Sequence, residues 1–136
     1  MEHVILVTKK PTAHLITPGI HAKLQLKNMA TLSIRSGTLD ATNYHLLADI
    51  LRTKPITALR MSQVTMGFLT QSMLLRDIRA MRHLSELEFS FMSLNNSNLC
   101  HTIANYPQLS KLSLRHMDLR FEDLDQLADA LTLSRI

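Results

Sequence analysis

His83-Leu84-Ser85-Glu86-Leu87-Glu88-Phe89 and, 25 residues further on, Gln108-Leu109-Ser110-Lys111-Leu112-Ser113-Leu114 are two copies of one frame. In each, an apolar residue is followed after two variable positions by a second, and after one more by a third. The frame occurs twice before, as Met29-x-x-Leu32-x-Ile34 and Ile56-x-x-Leu59-x-Met61. A fourth apolar anchor stands five positions beyond the third in every copy, at Leu39, Met66, Leu94 and Leu119. The opening of the chain carries a shorter version, the pair Ile5/Val7. First members of the paired anchors (Ile5, Leu32, Leu59, Leu87, Leu112) are spaced 27, 27, 28 and 25 residues apart. A period of this size marks an array of small supersecondary units.

Two periodicities alternate within a unit. The paired anchors have the period of a strand, with apolar residues on one face and variable residues on the other. Helical spacing follows: Leu47, Ile50 and Leu51 behind the candidate N-caps Thr42 and Asn43, then Leu74, Leu75, Ile78 and Met81. Leu99 and Ile103 behind Ser97 or Asn98, and Leu124, Leu127, Ala128 and Leu131, continue the pattern. Pro55 and Pro107 stand where helices end before the next strand. A strand and a helix in so few residues cannot bury an apolar side alone, whereas stacked copies can. The expected fold is α/β, a single domain of about five repeats: 1–28 (degenerate), 29–55, 56–83, 84–108 and 109–136.

Composition agrees. The 136 residues are 46% hydrophobic and 19% charged, with 25 Leu and 8 Met against 4 Phe, 2 Tyr and no Trp. Three glycines leave little material for phosphate-cradling loops, and the single Cys100 excludes an intrachain disulfide or a cysteine zinc module. Residues 1–82 carry a net charge of +7 and residues 83–136 one of −3, a polarity that suits an acidic partner.

The runs Tyr106-Pro107-Gln108-Leu109-Ser110-Lys111-Leu112-Ser113-Leu114 and His83-Leu84-Ser85-Glu86-Leu87-Glu88-Phe89 resemble leucine-rich repeats. Their length and helical second halves are similar to the ribonuclease-inhibitor-like subclass, also found in NOD-like receptors. The resemblance implies a solenoid, a horseshoe arc with a parallel β-sheet on its concave face and α-helices on its convex face. It is strongest over residues 28–136. The family's Asn or Cys three residues after the paired anchors is replaced by Gly37, Val64, Met92 and Met117, so the array diverges by lacking that polar ladder. Apolar stacking is expected to hold the turns. The chain opens inside a strand motif and closes on Leu133-x-x-Ile136, the spacing of another unit, which reads as a piece of a longer array with uncapped ends able to self-associate.

In such an arc the variable strand positions face the concave surface in rows. One row reads Leu6, Ser33, Arg60, Glu88 and Ser113, and the next Thr8, Arg35, Ser62, Ser90 and Arg115. Flanking rows hold Thr31, Ala58, Glu86 and Lys111, and Ser36, Gln63, Phe91 and His116. Candidate protein-binding residues are therefore Arg35, Arg60, Glu86, Glu88, Phe91, Lys111, Arg115 and His116. An aromatic anchor among Arg and acidic side chains has the composition of interface hot spots.

No catalytic constellation accompanies them. The seven histidines are scattered without metal-ligand spacing, and His101, next to Cys100 in sequence, would point elsewhere on a helix. The acidic run Asp118, Glu122, Asp123, Asp125 and Asp129 lacks the glycine of a calcium loop and suits a first helical turn. Arg76, Arg79 and Arg82 form a basic stripe that, with Lys9, Lys10, Lys23 and Lys27, offers phosphate contacts; the absence of interleaved aromatics argues against nucleic acid. No cofactor, metal or membrane span is expected. The apolar run Val4–Val7 is too short for a signal core, and one thiol fits the cytoplasm, or host-cell cytosol for a secreted effector. The expected function is a non-catalytic module binding a partner protein through its concave face. The resemblance also implies a regulatory or substrate-recruiting segment of a larger protein, as in an immune-receptor-like sensor, a ubiquitin-ligase adaptor or a pathogen effector.

Overall fold

The computed structural model describes residues 2–8, 16–92, 99, 102, 106 and 108–117. Strands β1 (Glu2–Val7), β2 (Met29–Leu39), β3 (Ala58–Met66), β4 (Glu86–Ser90) and β5 (Lys111–Arg115) form one sheet in chain order, and every neighbouring pair is parallel. Parallel neighbours need a crossover. The first three crossovers carry α1 (Pro18–Gln25), α2 (Tyr44–Thr53) and α3 (Phe68–Ala80), so the chain is α/β.

The repeated frame sets the register. Leu32, Leu59, Leu87 and Leu112 are successive partners across β2 to β5, as are Ile34, Met61, Phe89 and Leu114. Leu32, Leu59 and Leu87 are 0–2% exposed and share one core with Leu24 of α1, Leu47, Ile50 and Leu51 of α2, and Leu74, Leu75 and Ile78 of α3. Each fully buried side chain of this kind contributes roughly 1.5–3 kcal/mol. The helices therefore cover one face of the sheet, and alternation directs the variable residues to the other.

β1 departs from the expected phase. Val4 pairs with Leu32 and Leu6 with Ile34, and both pack against the core, whereas Ile5 and Val7 stand beside Ser33 and Arg35. The anchors of the first unit are thus Val4/Leu6, and the open face receives Ile5 and Val7 in place of Leu6 and Thr8. A shift of one residue exchanges the two faces of a strand. All four residues from Val4 to Val7 are apolar, and the polar residues flanking them, His3 and Thr8, stand in opposite phases, so the sequence does not mark which face is outward.

The helix starts also differ. Neither Thr42 nor Asn43 caps α2 through its side chain. Instead the Asp40 carboxylate accepts from the backbone N–H of Thr42 (3.0 Å) and Asn43 (3.1 Å). Asn43, itself buried, accepts from Asp40 N–H (2.7 Å) and donates to Thr38 C=O (3.1 Å), locking the turn one step before the helix. α2 ends as expected, with Lys54 extended ahead of Pro55. α1 was not marked by apolar spacing and buries only Leu24; its sequence signal is Thr17-Pro18, where the Thr17 hydroxyl accepts from Ile20 N–H and proline takes the first turn. Polar contacts from the α2 side hold α1 down: His21 bonds Asp49 at 2.8 Å, Gln25 bonds the same carboxylate, and Lys54 Nζ donates to Gln25 C=O at 2.7 Å.

Two further features recur from unit to unit. Ser36, Gln63, Phe91 and His116, each two residues past an apolar anchor, all have φ between 53° and 65°. Beside the first of them Gly37, at φ 128°, occupies a conformation closed to other residues. At the opposite end of the strands, Thr57 Oγ1 donates to Ala30 C=O (3.2 Å), Ser85 Oγ to Thr57 C=O (3.3 Å) and Ser110 Oγ to Ser85 C=O (3.1 Å). Where the strands leave the sheet, Gly37, Val64 and Met92 are buried, as apolar stacking requires. Where the strands enter it, a ladder of hydroxyls ties the start of β3 to that of β2, β4 to β3 and β5 to β4.

Of the expected fourth helix, Leu99 and Thr102 are described, both helical and buried. Leu94, Ser97, Asn98, Ile103, Pro107, Leu119, the fifth helix (Leu124, Leu127, Ala128, Leu131), Leu133 and Ile136 lie outside the described residues.

Candidate functional site

The open face of the sheet is built from the variable positions of the repeated frame. Pairing places Ser33, Arg60, Glu88 and Ser113 in one row, Arg35, Ser62, Ser90 and Arg115 in the next, and Thr31, Ala58, Glu86 and Lys111 in the row before. Arg60 stands between two carboxylates of β4: its Nη2 lies 3.6 Å from Glu86 Oε2 and its Nε 4.0 Å from Glu88 Oε2. The other oxygen of Glu88 lies 3.9 Å from Arg115 Nε on β5. These separations exceed hydrogen-bonding distance. All four side chains are partly exposed, so each contact is solvent-screened and worth about 0.2–1 kcal/mol. Their effect is chiefly geometric, holding a chain of alternating charges upright across three strands.

Arg35 and Lys111, both exposed, have no carboxylate partner among the described residues. Four cations against two carboxylates leave the face positive. At its upper margin the rings of Phe91 and His116 stack at a centroid distance of 4.3 Å and an interplanar angle of 9°. Phe91 is 53% exposed. Both residues occupy the left-handed region, which costs an L-residue roughly 1–2 kcal/mol, and Phe91 N–H donates to Arg115 C=O at 3.1 Å. The turns thus present the aromatic pair from a braced, strained backbone, a conformation that concentrates at functional positions.

All eight candidate residues lie on or at the margin of this face. It brings Arg60, Glu86, Glu88 and Arg115 into contact and stacks Phe91 on His116, while Arg35 stands apart from the charge chain. The sequence reading missed Ile5 and Val7, which are 51% and 62% exposed here.

Depressions on the face are shallow. One of about 90 Å³ is lined by Ser33, Arg35, Arg60, Ser62 and Glu88, and another of about 20 Å³ by Arg60, Glu86, Glu88, Lys111 and Ser113. Both are well below the roughly 300–1,000 Å³ of small-molecule sites. A larger cleft, about 390 Å³, lies elsewhere, between the C-terminal ends of α2 and α3, with Arg52, Lys54, Asp77, Arg82 and His83 on its walls. Cations there complement the carbonyl ends of the two helices. Asp77 is buried and accepts from Tyr44 Oη–H at 2.5 Å. Burial first, and that bond second, hold the Tyr44 phenol proton well above its ordinary range.

Among the described residues, no group of three or more His, Cys, Asp or Glu side chains could hold a metal, and no helix is long and apolar enough to cross a membrane. Arg76, Arg79 and Arg82 are exposed, and Arg76 lies 3.7 Å from its neighbour Asp77. Cys100, His14, His101, Lys9, Lys10 and the acidic run from Asp118 to Asp129 lie outside the described residues. No protein-family model matches the chain, and no curated protein matches it.

Proposed function

We propose that this chain is a non-catalytic interaction module of the leucine-rich-repeat type. Stacked units form a short solenoid arc, and a partner protein binds its concave face. The observation that carries this reading is the ordered display on the uncovered side of a parallel sheet. This side holds an alternating charge chain (Arg60, Glu86, Glu88, Arg115) beside the exposed Phe91–His116 stack. The in-phase recurrence of anchors, left-handed corners and ladder hydroxyls supports the repeat assignment.

Within this reading Phe91 is the apolar anchor, while Arg35 and Lys111 are the cations available to a partner's carboxylates. Arg60, Glu86, Glu88 and Arg115 set charge register, which governs specificity and on-rate more than raw affinity. The excess of cations suits an acidic partner surface. The single thiol fits action in a reducing, cytosol-like compartment.

The test is a pull-down from source-cell lysate comparing the unmodified chain with an Arg60→Glu/Phe91→Ala variant already matched in unfolding behaviour. A partner retained by the first and lost by the second is the expected result. Identical recovery by both overturns the assignment to this face.

A further inference from the structure

Among the described residues, the two outer strands of the sheet are defended unequally. β5 shows Lys111 and Arg115 exposed at its two ends, and charged side chains on an edge strand deter pairing with another chain. β1 carries a single charged residue, Glu2, at its first position. From His3 to Val7 it holds no Lys, no Pro and no acidic residue, and Val4-Ile5-Leu6-Val7 is a run of strand-favouring apolar residues. Its only irregularity in pairing falls at Glu2/His3, before that run. Among the described residues no strand lies beyond it. Ile5 and Val7 also project from the open face more than half exposed, which aqueous solvent disfavours.

We propose that β1 pairs antiparallel with β1 of a second copy of this chain, about a two-fold axis at Ile5. The register follows from which residues face which side. In an antiparallel pair, residues directly opposite each other point to the same face. A two-fold axis normal to the sheet keeps both sets of helices on one side, so core-facing residues must oppose core-facing residues. Centring the axis on Ile5 satisfies this over the whole run: Ile5 lies opposite its own symmetry mate, Val4 opposite Leu6 and His3 opposite Val7. Val4 and Leu6 then meet on the helix side, Ile5 and Val7 are covered on the open side, and no charged residue opposes a like charge. Centring it between Val4 and Ile5 would set an inward residue against an outward one.

The contact is isologous and therefore closes at two copies. The sheet would run through both molecules, and their open faces would share one side. This inference is independent of what those faces bind.

Sedimentation velocity of the full chain over a wide concentration range is the experiment. A monomer–dimer equilibrium without larger species is expected, abolished by Ile5→Lys and preserved by Leu26→Ser, an exposed apolar site at the C-terminal cap of α1. A variant with Ile5→Cys in a Cys100→Ser background keeps the test independent of any folding defect in Ile5→Lys. Opposed residues lie ~4.5–5.5 Å apart at their Cα atoms, within disulfide range, so mild oxidation should link two chains through Ile5→Cys. The same treatment of Val7→Cys should not, because symmetry separates those positions by ~13 Å along the strand. A chain that stays monomeric throughout, a dimer indifferent to Ile5→Lys, or growth into species larger than two copies, as head-to-tail joining of β1 to β5 would produce, overturns the proposal.

Discussion

The two faces of the sheet are made by the same strands yet obey different physics. On the helix side, Leu59 and Leu87 are neighbours almost sealed from solvent, in a core where losing a methylene is felt. One residue along, on the open side, Arg60 and Glu88 are also neighbours, separated by 4.0 Å and partly exposed. The first pair holds the strands together; the second contributes little to stability. The contrast teaches that core packing and the charge of the open face can be altered separately here, provided substitutions respect the alternation.

The strongest way to break the comparison is Leu87→Asp. An unpaired carboxylate at a fully enclosed position costs upward of ~4 kcal/mol. Because units touch mainly their neighbours, thermal unfolding followed by circular dichroism should lose its single cooperative transition. Retention of that transition with a small shift would contradict stacking as the source of stability. Next in size is Tyr44→Phe, which leaves the buried Asp77 without its phenol donor and should cost about 1–3 kcal/mol in denaturant unfolding. The same pair sets a pH response. The folded Tyr44 keeps its proton above the ordinary phenol range, while the unfolded chain releases it near pH ~10. Stability should therefore be complete below that pH and fall as pH rises past it, more in the unmodified chain than in Tyr44→Phe.

Arg60→Glu sharpens the comparison from the open side. Three acidic side chains would then crowd β3 and β4, yet the unfolding midpoint should move by no more than ~1 kcal/mol equivalent, with partner capture reduced. Equal losses of both would erase the distinction between the faces. The smallest effect belongs to Ser85→Ala, which removes one rung of the hydroxyl ladder at a partly exposed site. A cost of about 0.5 kcal/mol is expected, resolvable by paired denaturant titrations.

How far these faces could be read in the residue order depended on contrast within each strand. In β2 to β5 the positions between anchors are Ser33, Arg60, Glu88 and Ser113, polar residues that announce the outward phase, so sheet order and rows were legible. β1 offers four apolar residues in succession, and both phases satisfy the pattern equally until β2 selects one. Capping of α2 was ambiguous for a related reason: Asp40, Thr42 and Asn43 can all accept from a backbone N–H, and only the turn geometry chooses Asp40. The Tyr44–Asp77 bond joins residues 33 apart and left no local trace. The hydroxyl ladder did leave one, since Thr57, Ser85 and Ser110 each follow the first anchor of their unit. The neighbours Arg60 and Glu88 were legible, but the sharing of Glu88 between Arg60 and Arg115 depends on rotamers that no pattern encodes.

The left-handed corners carry a consequence for how such a chain can change over generations. Ser36 and Gln63 hold nearly the same φ, and the residues that follow them, Gly37 and Val64, are partners in the sheet. Excising residues 37–63 would join Ser36 to Val64, a junction whose backbone already exists at Gln63–Val64. Duplicating the same segment would repeat a junction already in use. Recombination at these corners can therefore add or remove one strand and one helix without having to discover a new turn, which makes the breadth of the open face a heritable quantity that varies in whole steps.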